Sequence, residues 1–166
     1  MGTCEVYCEE IMLRRARPHQ KICWVLFIGY LVMLTHFMFF SDDFGRSGHA
    51  EYAYNLVLFK EIKRFYQYRE LLGWRSFFLN TVGNVACFMP FGFILPVISR
   101  RAGQWYNTIL LSFLMSLGIE TVQLTFKIGS FDVDDMFLNT LGGIAGYLCL
   151  VLARMFRRRL HGASDR

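Results

Sequence analysis

An all-α polytopic membrane protein with four transmembrane helices is the fold class this sequence predicts, and three observations carry it. Hydrophobic residues make up 54% of the 166 and charged residues only 19%, with a mean hydropathy of +0.32. A soluble chain averages about 25% charged residues. The apolar residues gather into four runs with charge largely confined between them, and the basic residues sort by side across those runs. Disorder is excluded by 17 Phe, 8 Tyr and 3 Trp.

The first run, Ile22 to Phe40, is 19 residues without formal charge. A helix needs ~20 such residues to cross a ~30 Å hydrocarbon core. Ser41-Asp42-Asp43 follows it in place of a small-residue cleavage site, so it reads as a retained helix and not a secretory signal. The second run is Phe77 to Ile98, where Pro90 and Pro96 predict an interruption around Phe88-Met89-Pro90-Phe91-Gly92. The third, Tyr106 to Phe126, carries one acid, Glu120. The fourth, Met136 to Val151, continues to Phe156 if Arg154 snorkels. Its Gly142-x-x-x-Gly146 predicts close packing against a neighbouring helix of the same chain.

Orientation follows from Lys and Arg. With four spans, eleven of the 18 fall on one side: Arg14, Arg15, Arg17 and Lys21 before the first run, Arg100 and Arg101 in the second loop, and five arginines from Arg154 onward. The basic side is cytoplasmic, so both termini are inside. This predicts a cytoplasmic segment 1–21, one membrane domain 22–156 and a basic cytoplasmic tail 157–166. The +5 net charge is then a topology signal, and nucleic acid leaves the list of partners. Five cysteines are too few for a disulfide scaffold. Cys4 and Cys8 read as reduced cytosolic thiols, and Cys23, Cys87 and Cys149 as packing residues in the spans.

Ser41 to Ser76 is too long for a bare connection. Ala53 to Leu72 lacks Pro and Gly and spaces Leu56, Phe59, Ile62, Phe65 and Tyr66 as a helix does. Lys60, Lys63 and Arg64 take the neighbouring face, which predicts an amphipathic helix on the outer surface with basic residues toward lipid headgroups or phosphates. A solvated helix capping the bundle uses the same pattern equally well.

A polar cluster stands out against these runs. Asn80 and Asn84, spaced i, i+4, fall in the first turns of the second span, about 5 to 11 Å below its outer end. Glu120 is about 9 Å below the outer end of the third, with Gln123 one turn nearer the surface. The second outer loop supplies Asp132, Asp134 and Asp135, and Asn139 follows in the fourth span. An ionisable group in a membrane faces the bundle or a wet cavity. An interhelical hydrogen-bond clamp explains the amides, and helix capping by Asp134 or Asp135 explains those acids. Three functional readings stand beside it. Glu120, Asp132 and Asp135 are candidate ligands for a divalent cation. In a membrane enzyme, Glu120 and Asp135 would be the catalytic acid and base. Alternatively, the cluster binds the polar groups of a lipid-linked substrate, with Asn80, Asn84, Gln123, Asp132, Asn139, Lys60, Lys63 and Arg64 as binding residues. No Ser/His/Asp spacing and no glycine-rich phosphate loop is present.

These motifs resemble the VanZ family. The resemblance lies in Asn80-x-x-x-Asn84-x-x-x-Phe88-x-Pro90-Phe91-Gly92, in Glu120-x-x-Gln123, and in Asp132-x-x-Asp135-x-x-x-Asn139-Thr140-x-Gly142-Gly143-x-x-Gly146. Asn55-Leu56 and Phe59 are similar to the family's first-loop element, although Leu58 replaces its usual proline, and Gly129 stands where many members carry arginine. The resemblance implies a bacterial plasma-membrane protein linked to resistance against teicoplanin and related lipoglycopeptides, or to envelope homeostasis. It supplies no accepted biochemical activity; in a lipid bilayer, a polyprenyl-linked wall precursor or the acylated antibiotic would present a lipid tail and a polar head at the depth of the outer cluster. A structural partner of another membrane protein is the remaining reading. The sequence assigns neither a cofactor nor an oligomeric state.

Overall fold

The structure, a computed structural model, describes residues 18–40, 54–99 and 103–164. Several sequence expectations lie outside those residues: the Cys4–Cys8 pair, Arg14, Arg15 and Arg17, the loop residues 41–53 with Asp42 and Asp43, Arg100 and Arg101, and Arg166.

In chain order the elements are α1 (Pro18–Phe40), β1 (Tyr54–Asn55), α2 (Lys60–Gln67), α3 (Arg69–Leu72) and α4 (Trp74–Phe78). A π turn (Leu79–Gly83), α5 (Asn84–Ile98), α6 (Trp105–Phe126), β2 (Phe131–Asp132) and α7 (Val133–Ser164) complete them. Three helical stretches are long and apolar enough to cross a membrane: Trp74–Ile98, Trp105–Phe126 and Val133–Leu160. The helix α1 has 23 residues, but its apolar stretch, Lys21–His36, is shorter. The last helix begins three residues before the predicted run and continues past Phe156 to Ser164.

The bundle is apolar outside and polar within. Among the described residues Ile22, Val25, Leu26, Val32 and Met33 of α1 are exposed, and so are Leu110, Phe113, Leu114 and Val122 of α6. Thr108, Ser112, Ser116, Glu120 and Gln123, on one face of α6, are buried. This distribution suits a chain whose surroundings are as apolar as its core. The apolar core joins Leu34 and Met38 of α1 to Phe88 and Ile119. Phe27 packs on Phe91 with ring centroids 5.8 Å apart, and Tyr30 Oη donates to the Cys87 carbonyl at 2.7 Å.

Helices α5 and α7 meet backbone to backbone. A Cβ on Gly142 would strike the Val85 carbonyl, and one on Gly146 the Met89 carbonyl, so the Gly-x-x-x-Gly stripe is spent inside the monomer. The predicted interruption at Pro90 does not occur: α5 runs through Pro90 and ends two residues after Pro96. Membrane helices tolerate proline where neighbouring groups take up the freed carbonyls.

The first loop departs most from expectation. The predicted continuous helix over Ala53–Leu72 is instead a strand, a turn and two short helices. Tyr54 and Asn55 pair in parallel with Phe131 and Asp132, and Phe59 enters the left-handed region (φ 65°) just before α2. That conformation costs a bulky residue roughly 1–2 kcal/mol, so the helix cannot extend back through it. The chain then turns at Gly73, whose φ of 83° suits a residue without a Cβ.

Candidate functional site

The polar residues gather at the end of the bundle that carries the two described loops. Here α6 closes with a Schellman motif: Ile128 N–H reaches the Gln123 carbonyl (3.1 Å) and Lys127 N–H the Leu124 carbonyl (3.2 Å). Lys127 accepts a φ of 56° in this turn. The chain thereby reverses over the top of α6 and brings β2 beside Glu120, whose Oε2 accepts the Asp132 N–H at 2.9 Å.

The two loops are joined by carboxylates. Asp132 Oδ1 accepts Asn55 Nδ2 (3.1 Å) across the strand pair and the Asp134 N–H (2.8 Å). Asp134 accepts the backbone N–H groups of Phe59, Glu61 (2.8 Å) and Ile62 (3.2 Å). These are unsatisfied donors at the start of α2, where a negative charge also meets the positive end of the helix. An acid expected to cap its own helix therefore caps a different one. Asp135, one residue on, accepts Asn84 Nδ2 at 2.6 Å.

Between α2, the π turn and β2 lies a cavity of about 300 Å³. Of the predicted binding residues, Lys60, Arg64, Asn80, Gln123 and Asp132 line it, as does Asp135, the candidate catalytic residue and cation ligand. Glu120, Asn84 and Asn139 do not; they are buried, and Asn139 Nδ2 donates to Ser116 Oγ at 2.9 Å. Lys63 borders a different groove with Tyr66 and Phe77. The π turn separates Asn80 from Asn84, which an unbroken α-helix would set on one face, because its wider i→i+5 closure shifts the register. Asn80 donates to the Ser76 carbonyl (2.9 Å) and meets the cavity, whereas Asn84 turns inward. Gln123 lines the cavity while its Nε2 holds the Met38 carbonyl at 2.9 Å, tying α1 to the site.

In the sequence, Glu120, Asp132 and Asp135 are candidate ligands for a divalent cation. Among the described residues no three His, Cys, Asp or Glu side chains come together to hold a metal ion. Glu120 Oε2 is committed to the Asp132 backbone, and Asp135 Oδ1 to Asn84. Burial raises the Asp132 pKa above the ordinary carboxylate value, opposed by the Asp134 N–H and the Asn55 amide. Burial likewise raises Glu61, opposed chiefly by Arg64, whose Nη2 lies 2.7 Å from Glu61 Oε2.

Sequence reasoning missed the structural weight of Asn55 and Asp134. Asn55 stood out only through the family resemblance of Asn55-Leu56 and Phe59, since nothing local announces a partner 77 residues away. The signal for Asp134 was present in Asp132-x-Asp134-Asp135, but its position in a first helical turn offered a sufficient local explanation.

No solved structure matches this chain. Protein VanZ of Enterococcus faecium is 35% identical over 69 residues, which are 42% of this chain and 42% of that protein. The similarity thus spans about two fifths of the relative's length. The VanZ/LLP1 family model matches residues 27–154, from the first described helix through both loops to the last helix. With most of its length and the whole described polar site inside that match, the chain belongs to the VanZ/LLP1 family.

Proposed function

We propose that this protein spans the bacterial plasma membrane four times with both termini cytoplasmic, α1 being the first span and joining the three long apolar helices. It contributes to teicoplanin or lipoglycopeptide resistance, or to envelope homeostasis, by engaging a lipid-linked envelope component or the antibiotic in the outer leaflet. The observation that carries this reading is the cavity at the loop end of the bundle. Lys60 and Arg64 line one wall, Asp132 and Asp135 line another, and α2 packs alongside as part of the wall. A concave site with convergent polar groups is where a ligand head is held. The excess of Lys and Arg at the opposite end supports the orientation.

Expression in a susceptible bacterial host is expected to raise the inhibitory concentration of teicoplanin. Ser130→Trp, which fills the cavity from its lining, is expected to abolish the rise at equal protein abundance in the membrane. A Ser130→Trp protein that protects as well as the wild type would refute the cavity as the working site.

A further inference from the structure

Two basic and four acidic side chains line this cavity, and two of these six, Lys60 and Asp132, do not pair with each other. Both hydrogen bonds to Asp132 arrive at Oδ1, so Oδ2 accepts none among the described residues, although the residue is only 6% exposed. Lys60 lines the same cavity and forms no ion pair among the described residues, where the ion pair at this wall is Arg64 with Glu61. A carboxylate oxygen with no protein donor is open to the N–H groups of a ligand. An acid and a base that border one cavity without closing on each other leave room for a molecule carrying both charges.

The size of the cavity narrows the choice. At about 30 Å³ for each water, 300 Å³ holds roughly ten waters, or about as many non-hydrogen ligand atoms. A whole glycopeptide or sugar-peptide wall unit is far larger, so the cavity holds one polar group of such a ligand and not all of it. A phosphate ester of a short amino alcohol, with about eight non-hydrogen atoms, is of the right size.

We propose that the cavity binds a small zwitterion, its primary ammonium on Asp132 Oδ2 and its oxyanion on Lys60 with Arg64 beside it, as a phosphoethanolamine group would present them. An ammonium suits the first position because it brings N–H donors to a single open oxygen, where a metal ion would need several ligands. This assignment rests on the cavity being the working site proposed above, and names the chemistry of its ligand.

The test is native mass spectrometry of the delipidated full chain in detergent, offered equimolar phosphatidylethanolamine and phosphatidylglycerol. The wild type is expected to retain the ethanolamine lipid about tenfold over the glycerol lipid, as expected for one charge-assisted hydrogen bond. Asp132→Asn keeps the Oδ1 acceptor and puts an NH2 group where Oδ2 was, so the ratio is expected to fall to about one. Lys60→Glu, on an exposed position, is expected to weaken retention of both lipids about tenfold or more, and carries the test if Asp132→Asn unfolds. Free O-phosphoethanolamine that displaces the lipid assigns the site to the headgroup alone. Failure to displace, with the preference intact, assigns it to the lipid; either supports the zwitterion. Equal retention of the two lipids, lost in Ser130→Trp, overturns the zwitterion and leaves the cavity as the site. Retention indifferent to Ser130→Trp overturns both.

Discussion

Asp134 takes three N–H groups from a segment that lies more than seventy residues earlier in the chain, and does so beside Asp132, which ties the strand pair and faces the cavity. Hydrogen bonds to a charged acceptor contribute about 1.5–3 kcal/mol each, more than neutral ones. Asp134→Ala is therefore expected to lower hydrogen-exchange protection of the α2 amides about tenfold or more, with Asp134→Asn falling between. The raised pKa values of Asp132 and Glu61 give a second expectation. Between the ordinary carboxylate pKa and the raised one, the native state binds protons that the unfolded chain has released. Stability is thus fullest below the ordinary value and is lost as pH rises through the raised one. Melting temperature should climb as pH is lowered from 7 through that window and then level off, and Asp132→Asn should flatten the slope. Glu61 is more exposed than Asp132, so screening makes Asp132 the larger contributor. At this scale the sequence revealed which residues are polar within an apolar run, but not their partners. Glu120 had to be paired by physics, yet pairing it with a backbone N–H required knowing where β2 turns back.

The elements were legible in proportion to how local their causes are. The spans beginning at Trp74, Trp105 and Val133 follow from apolar length, and the close approach at Gly142 and Gly146 follows from spacing. What the sequence concealed has non-local or subtle causes. Two residues of strand have no periodicity to detect, and the π turn at Leu79–Gly83 needs no distinctive residue. The long helix expected over Ala53–Leu72 failed because backbone pairing to the second loop outweighs an amphipathic pattern. The glycines supply the element-scale test. Gly146→Ala forces a methyl into the Met89 carbonyl and is expected to cost about 1–3 kcal/mol or more. Gly118→Ala in α6 meets nothing within 4 Å and is expected to shift stability by at most about 1 kcal/mol. Thermal unfolding of the two proteins in the same detergent measures the contrast.

At the scale of the whole molecule, charge distribution and burial point the same way. Arg154, Arg157, Arg158 and Arg159 ring the far end of α7, while acids collect at the end with the cavity. If both ends are cytoplasmic as proposed, a green fluorescent protein fused after Arg166 should glow and a periplasmic phosphatase fused there should stay inactive. The opposite pair of results would invert the topology. The cavity walls, meanwhile, are fastened unequally. The pair α5 and α7 is locked carbonyl against glycine, and β2 is pinned by Glu120. The wall formed by α2 is held by hydrogen bonds to Asp134 and by the edge-to-face contact of Phe59 with Phe137, and beyond α3 the chain turns at Gly73, with a φ of 83°. Under heat or mild denaturant the molecule should therefore come apart like a latched door in a masonry frame. The latch is one carboxylate, the pivot one glycine, and the frame outlasts both.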